Sequence, residues 1–171
     1  MDIEDLKARL ECCYQESYGW ARFCCRGEAD EANNVLQAVY LKILDERAMF
    51  DGEASFRTWL FGVIRVTAAE MRRRRVLERL QLVRYHEQQP RNVRTTHVDE
   101  AIFSDELRTS LSKALAMLPR RQGEVLQLVM YHDLSLTEAA ETMGVSLGSA
   151  RTHYERGKKR LRILLEGSGW K

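Results

Sequence analysis

Proline is nearly absent: Pro90 and Pro119 are the only two. Stretches in which apolar and polar residues alternate are almost as scarce, which removes the period-two pattern of a half-buried strand and points to an all-α chain. No run of eighteen apolar residues occurs, so no membrane insertion is expected. The opening residues, MDIEDLKARLECC, are acidic and mixed, unlike a secretory signal or a transit peptide, and a cytoplasmic protein is the expectation. The four histidines, His86, His97, His132 and His153, are scattered and accompany no recognisable nucleophile, phosphate-binding loop or acid pair. Neither an enzyme nor a cofactor is expected.

Cysteine is confined to two adjacent pairs, Cys12-Cys13 and Cys24-Cys25, and adjacent cysteines lack metal-ligand spacing. On one continuous helix Cys13 and Cys24 share a face but stand roughly 16 Å apart, too far for one zinc ion or one disulfide. The four are read as small buried hydrophobes; a redox or metal role would require a break near Gly19.

What is present is 44% apolar and 30% charged residue, the balance of a folded protein, on a chain of 171 residues that suits one ordinary domain or two small ones. The net charge is only +2, but it is unevenly placed. Residues 1 to 31 hold four bases against eight acids, whereas from Ser146 onward Arg151, Arg156, Lys158, Lys159, Arg160, Arg162 and Lys171 face only Glu155 and Glu166. A local basic footprint of this kind suits a polyanionic partner.

Apolar periodicity predicts helices over residues 3–26, 29–46, 54–83, 101–117, 120–131, 136–143 and 146–165. The polar stretch RYHEQQPRNVRTTHVDE, residues 84–100, has no helical period and contains Pro90, so it reads as a flexible linker between two small helical domains, 1–83 and 101–171.

In the second domain, LSLTEAAETMGVSLGSARTHYERGKKRL (residues 134–161) sets a short helix, a turn at Met143-Gly144-Val145 and a basic helix in sequence. Ala140 is small where two helices would cross, and Gly144 supplies the positive φ of the turn. Ser146 is placed to cap the basic helix, whose stripe Leu147, Ala150, Tyr154, Gly157, Leu161 faces inward. The opposite stripe is Arg151, Thr152, Glu155, Arg156 and Lys159. Arginine forks suit guanine edges, Glu155 suits cytosine N4, and Lys158 to Arg160 suit phosphates, which together describe a DNA-reading helix-turn-helix.

In the first domain, Phe56, Trp59, Leu60, Val63, Ile64, Thr67 and Met71 fall on one helical face as a core stripe. Phe61, Arg65 and Arg72 share another stripe, expected to lie away from that core, where an aromatic between guanidinium groups could stack on bases. The run Arg72, Arg73, Arg74, Arg75 sweeps roughly 300° around the helix, so by Arg74 the helix either runs past the domain body or bends. Upstream, EANNVLQAVYLKIL (residues 31–44) forms an amphipathic helix with Val35, Val39, Leu41 or Lys42, and Ile43 inward and Gln37 exposed, either plain core or a docking surface for a helical partner.

Ala32 to Ile43, FDGEASFRTWLFGVI followed by RRRR, LPRRQGEVLQL (residues 118–128) and the helix-turn-helix, in this order and spacing, resemble a bacterial RNA polymerase sigma factor of the extracytoplasmic-function (ECF) group. The resemblance covers nearly the whole chain. It implies that the first domain binds the clamp coiled coil of the polymerase largest subunit, with Asn34, Gln37 and Tyr40 as polymerase contacts, and melts the minus-10 element with Phe61, Arg65 and Arg72 to Arg75. The loop from Arg47 to Ser55 and the start of the Trp59 helix match the part that captures an extruded base. The second domain would bind the polymerase flap and the minus-35 element, with Arg151, Thr152, Glu155, Arg156, Lys158 and Lys159 on DNA. The family implies an anti-sigma partner as well. The sequence departs from the family pattern at Asn33, Asn34 and Ala38, at Val66 where Asn is usual, and at Glu70 where Asp is usual; Val offers no hydrogen bond to a base edge. Residues 118–161, His153 included, also resemble the helix-turn-helix of a stand-alone LuxR-type regulator. A thiol or metal sensor built on the cysteine pairs is a third reading.

Overall fold

The structure, a computed structural model, describes residues 3–85, 111 and 114–166. Among them there are helices and no strand: α1 (Ile3–Cys12), α2 (Tyr14–Cys24), α3 (Ala29–Leu44), α4 (Phe56–Tyr85), α5 (Arg120–Met130), α6 (Leu136–Met143) and α7 (Leu147–Glu166). The linker expected over 84–100 and most of the helix expected over 101–117 lie outside the described residues, apart from the end of α4 and a helical turn at 114–116.

The single helix expected over 3–26 is two. Cys13 leaves helical geometry at φ −89°, ψ 1°, and the chain bends there without losing backbone bonds, since Cys13 N still donates to Arg9 O and Ser17 N to Cys13 O. The bend lets α1 lay Leu6 and Leu10 on the core shared by α2, α3 and α4. α2 ends through two left-handed residues, Arg26 (φ 58°) and Gly27 (φ 91°), the second of which only glycine adopts freely. Ser55 starts α4 by accepting from Thr58 N at 3.1 Å.

Trp20, Val35, Leu36, Val39, Ile43, Leu60 and Ile64 fill the first module. Their core does not stop at its boundary. Val125 and Leu128 of α5, Leu134, and Ala139 and Met143 of α6 belong to the same buried cluster, so the two modules pack directly on each other. A second, smaller cluster of Ala114, Leu118, Leu126 and Leu161 holds the second module together. Of the two alternatives for α4, the helix runs past the body: Val76, Leu77 and Leu80 are 50%, 60% and 58% exposed.

Candidate nucleic-acid interface

The second module builds its outward face from local signals. Ser135 and Glu138 form a reciprocal capping box at the start of α6, with Glu138 N donating to Ser135 Oγ and Ser135 N to Glu138 Oε2 at 2.8 Å. The backbone and side-chain hydrogen bonds from Ser135 hold the Glu138 carboxyl below its usual range. Gly144 closes α6 at φ 61°, ψ 46°, and Ser146 opens α7 by accepting from Ser149 N at 3.2 Å. Ala150, Gly157 and Leu161 of α7 are buried, with Leu147 and Tyr154 half-buried beside them. Gly157 is where the helices touch: an added Cβ would sit 3.0 Å from Leu126 Cδ1 and 3.2 Å from Gln122 O.

That packing turns Arg151, Thr152, Glu155, Arg156, Lys158 and Lys159 to solvent. Within the row, Thr152 Oγ1 donates to Gly148 O at 3.0 Å and Lys158 Nζ reaches Glu155 Oε1 at 2.9 Å. Lys158 also lies over the Tyr154 ring at 4.6 Å, and its hydrogen bond to Glu155 raises its pKa. Arg151, Arg156 and Lys159 form no ion pair within the described residues. The first turn of α7, with Ser146, Gly148, Ser149, Thr152 and His153, borders a shallow hollow of about 380 Å³.

In the first module the loop between α3 and α4 and one side of α4 enclose a cavity of about 590 Å³, lined among others by Lys42, Arg47, Asp51, Trp59, Val66 and Glu70. Its volume falls within the range of roughly 300–1,000 Å³ usual for small-ligand clefts. Phe50, Phe56 and Trp59 pack ring to ring, each pair of centroids 5.4 Å apart, and so hold the loop against the helix. Trp59 and Val63, expected in the core, are half-buried and form the cavity wall. Lys42 Nζ crosses from α3 to donate to Thr67 Oγ1 at 3.1 Å and to Glu70 Oε2 at 2.5 Å. The sequence pattern did not single out Lys42 and Thr67 as site residues, because the pairing joins two helices. Glu141, from α6 of the other module, also lies on the cavity.

The stripe Phe61, Arg65, Arg72 was expected away from the core, and here the placement is corrected. Phe61 is 0% exposed. Its ring stacks on Trp20 at 6.0 Å and meets His132 edge-on at 4.9 Å, and Trp20 Nε1 donates to its carbonyl at 3.0 Å. Arg65 Nε donates to Glu124 Oε2 on α5 at 3.1 Å. Arg72 is half-buried, and its desolvation, with Arg120 and Arg26 nearby, lowers its pKa. The physical reason is that the stripe is covered from two sides, by Trp20 of α2 in the first module and by Glu124 and His132 of the second, with Arg26 and Arg120 beside Arg72. In the arginine run, Arg73 and Arg74 are exposed, while Arg75 pairs with Glu31 of α3.

On α3, Asn33, Asn34 and Gln37 are exposed with Leu41 and Leu44, and Val35, Val39 and Ile43 are buried. Leu41 therefore belongs to the surface and not to the core stripe. Tyr40 is half-buried, its buried hydroxyl has no hydrogen-bond partner among the described residues, and burial raises its pKa. All four cysteines are free thiols; Cys24 and Cys25 are buried, Cys13 is half-buried and Cys12 is exposed. Burial pushes the Cys13, Cys24 and Cys25 thiols up, away from the reactive thiolate. The helix breaks at Cys13 and continues through Gly19, and among the described residues no cluster of three metal-ligating side chains exists.

Two family models match the chain in tandem: "Sigma-70 region 2" over residues 10–77 and "Sigma-70, region 4" over residues 108–161. The chain belongs to the sigma-70 family, in its ECF group.

Curated relatives of this sigma factor include RNA polymerase sigma factor SigZ of Bacillus subtilis, 26% identical over 136 residues that span 79% of this chain and 73% of SigZ. They also include ECF RNA polymerase sigma factor SigF of Caulobacter vibrioides, 28% identical over 79% of this chain and 71% of SigF. RNA polymerase sigma factor YlaC of Bacillus subtilis is 28% identical over 94% of this chain and 90% of YlaC. Among solved structures, the sigma factor RpoE of Bartonella quintana, crystallised with the anti-sigma factor NepR, superposes with a TM-score of 0.79 at 22% identity, covering 96% of this chain and 98% of RpoE. CnrH, in complex with the cytosolic domain of CnrY, superposes at 0.60 and 21% identity, covering 96% of this chain and 87% of CnrH. These likenesses share the fold. The region 2 match leaves the stand-alone LuxR-type reading without support, because that reading accounts only for the second module.

Proposed function

We propose that this sigma factor serves RNA polymerase in transcription initiation by reading two promoter elements, one with each module. The observation that carries the reading is the solvent-facing row of α7. Arg151 and Arg156 are suited to bidentate contacts with guanine in the minus-35 major groove, Thr152 and Glu155 to neighbouring base edges, and Lys158 and Lys159 to phosphates. The α7 N-terminus offers a phosphate oxygen the positive end of the helix dipole.

On the first module we assign base capture to the cavity beside Trp59 and Val66, with exposed Arg73 and Arg74 on the flanking minus-10 backbone. With Val66 on its wall, this pocket holds a base by shape and by the polar groups of Lys42, Thr67 and Glu70. Phe61 and Arg65 reach DNA only if the modules part. The exposed α3 face, with Asn34, Gln37 and the edge of Tyr40, is the proposed contact for the polymerase clamp coiled coil, and the second module that for the flap. RpoE and CnrH are seen with NepR and CnrY, and we propose an anti-sigma partner for this chain also.

The factor has no catalytic chemistry of its own in this reading and acts where RNA polymerase is, in the cytoplasm. Among the described residues no helix is long and apolar enough to cross a membrane. The test is reconstitution with core polymerase on templates from the cognate genome, followed by sequencing of the transcripts. Start sites that share two spaced elements support the reading, and absence of any promoter-specific transcript overturns it.

A further inference from the structure

The cavity beside Trp59 presents its chemistry in a fixed order. Val66 lies on its wall and is half-exposed; Thr67 follows it, and Glu70 stands four residues on, about 6 Å along α4. Lys42 Nζ reaches in from α3 and bridges the two polar residues, donating to Thr67 Oγ1 at 3.1 Å and to Glu70 Oε2 at 2.5 Å. Along the helix the wall therefore offers an apolar branch, an ammonium and a carboxylate. Two of the three ammonium protons are in use and one remains, while Glu70 Oε1 accepts from none of the described residues. On the loop, Arg47 and Asp51 are already engaged: Arg47 Nη2 donates to Asp45 Oδ2 at 2.5 Å, and Asp51 Oδ1 accepts from Glu53 N at 3.1 Å.

We infer that the base captured here is thymine and that Val66 is the residue that selects it. The inference rests on the reading of this cavity as the site of base capture. Around one edge thymine carries, in order, its C5 methyl group, the O4 acceptor and the N3–H donor. That order matches the wall: the methyl lies on Val66, O4 takes the remaining proton of Lys42 Nζ, and N3–H donates to Glu70 Oε1. Trp59, seven residues before Val66 and so on the same side of α4, lines the cavity too and offers the base aromatic surface.

The other bases each fail at one point of the wall. Cytosine and adenine turn an exocyclic amino group toward the ammonium, donor against donor, and their neighbouring ring nitrogen has no proton for Glu70. Guanine matches with O6 and N1–H but sets its N7 acceptor against Val66, which has no proton to give, and an acceptor left unpaired on desolvation is costly. Uracil satisfies Lys42 and Glu70 and lacks only the methyl group. One methyl group removed from water corresponds to a preference of about three- to five-fold, so thymine against uracil isolates the part played by Val66.

The test uses the full-length chain in holoenzyme with core polymerase, on promoter templates whose non-template minus-10 bases are replaced one at a time by thymine, uracil, cytosine, 5-methylcytosine or guanine. The readout is the rate of open-complex formation. At one position thymine should be best and uracil slower by about three- to five-fold. There 5-methylcytosine should do no better than cytosine, since it keeps the methyl group and loses O4 and N3–H. Val66→Ala should abolish the difference between thymine and uracil at that position, and Val66→Ile, which keeps the branch, should retain it; circular dichroism checks that both variants fold. Equal rates for thymine and uracil at every position overturn the inference, and so does 5-methylcytosine accepted as well as thymine. Preference for a different base, weakened by Val66→Ala, overturns thymine and leaves base capture standing. Preferences that Val66→Ala alters at no position overturn base capture in this cavity as well, and absence of any promoter-specific transcript from the wild type sinks the sigma reading itself.

Discussion

Arg65 on α4 and Glu124 on α5 meet at 3.1 Å across the boundary between the modules, with their side chains only 14% and 2% exposed. Glu124 is buried beside Val125 and Leu126, which follow it in sequence, and it survives there because Arg120 and Arg121 also reach it at 2.8 and 3.6 Å from its own helix. A buried carboxylate held by three cations is a registration point: it lets the second module sit on α4 in one way only.

Replacing Arg65 with Met should lower stability by about 1–3 kcal/mol. Breaking a buried pair by removing one partner ordinarily costs about 3–5 kcal/mol, and the two remaining arginines reduce that here. Urea unfolding followed by circular dichroism reads the change, and a midpoint equal to wild type would show that the pair adds nothing.

His132 predicts an acid-sensitive fold. It is 3% exposed, its Nε2 has no hydrogen-bond partner among the described residues, and it lies edge-on to Trp20, Phe61 and Tyr131. Burial drives its pKa down to about 4; Glu16 and Asp133 work against that shift and Arg57 with it. The unfolded chain, with histidine near ~6.5, binds the proton first, so this group's contribution is intact above pH ~6.5 and is lost as pH falls toward ~4, by at most about 3 kcal/mol. Thermal melts from pH 7 to 4 should show the slope, and His132→Phe should flatten it; an equal slope in the variant would assign the acid sensitivity elsewhere.

For the α7 row, Arg151→Ala and Arg156→Ala should each weaken holoenzyme binding to its promoter by about 1–3 kcal/mol and relax preference at one base pair. Lys159→Ala should instead weaken all sequences evenly and reduce the slope of log affinity against log salt by about 1. Anisotropy titrations over a set of single-base promoter variants distinguish these outcomes, and a uniform loss for Arg151→Ala would demote it to a phosphate contact.

Gly157→Ala sets two effects against each other. Alanine favours a helix by about 1 kcal/mol over glycine. The new Cβ would press on Leu126 Cδ1 at 3.0 Å and on the backbone oxygen of Gln122 at 3.2 Å, and a carbonyl in a packed helix moves only with the helix. Overpacking of this kind costs about 1–3 kcal/mol, so a net loss near 1 kcal/mol is expected in urea unfolding, and a more stable variant would contradict the close approach of α5 and α7.

The second module was legible because its signals are local. Ser135 to Glu138 spans one helical turn, Gly144 marks a left-handed residue, and the spacing of Ala150, Gly157 and Leu161 names the inward face of α7 without reference to anything distant. The same spacing argument on α4 yields two apolar stripes, one through Leu60 and Ile64 and one through Phe61, and helical period alone cannot say what covers each. Only the tertiary structure decided that Phe61 and Arg65 meet residues of α5 and the turn after it, 59 positions away for the Arg65–Glu124 pair, while Trp59 lines a cavity. The bend at Cys13 was equally hidden, since no proline or capping side chain marks it and its cause is the packing of Leu6 and Leu10. Sequence by itself determined most of the described helices, though not the break at Cys13, and the outward face of α7, because periodicity and caps act within a few residues. The burial of α4's second stripe rests on long-range contacts, with Trp20 of α2 and with Glu124 and His132 of the second module, and no local pattern encodes it.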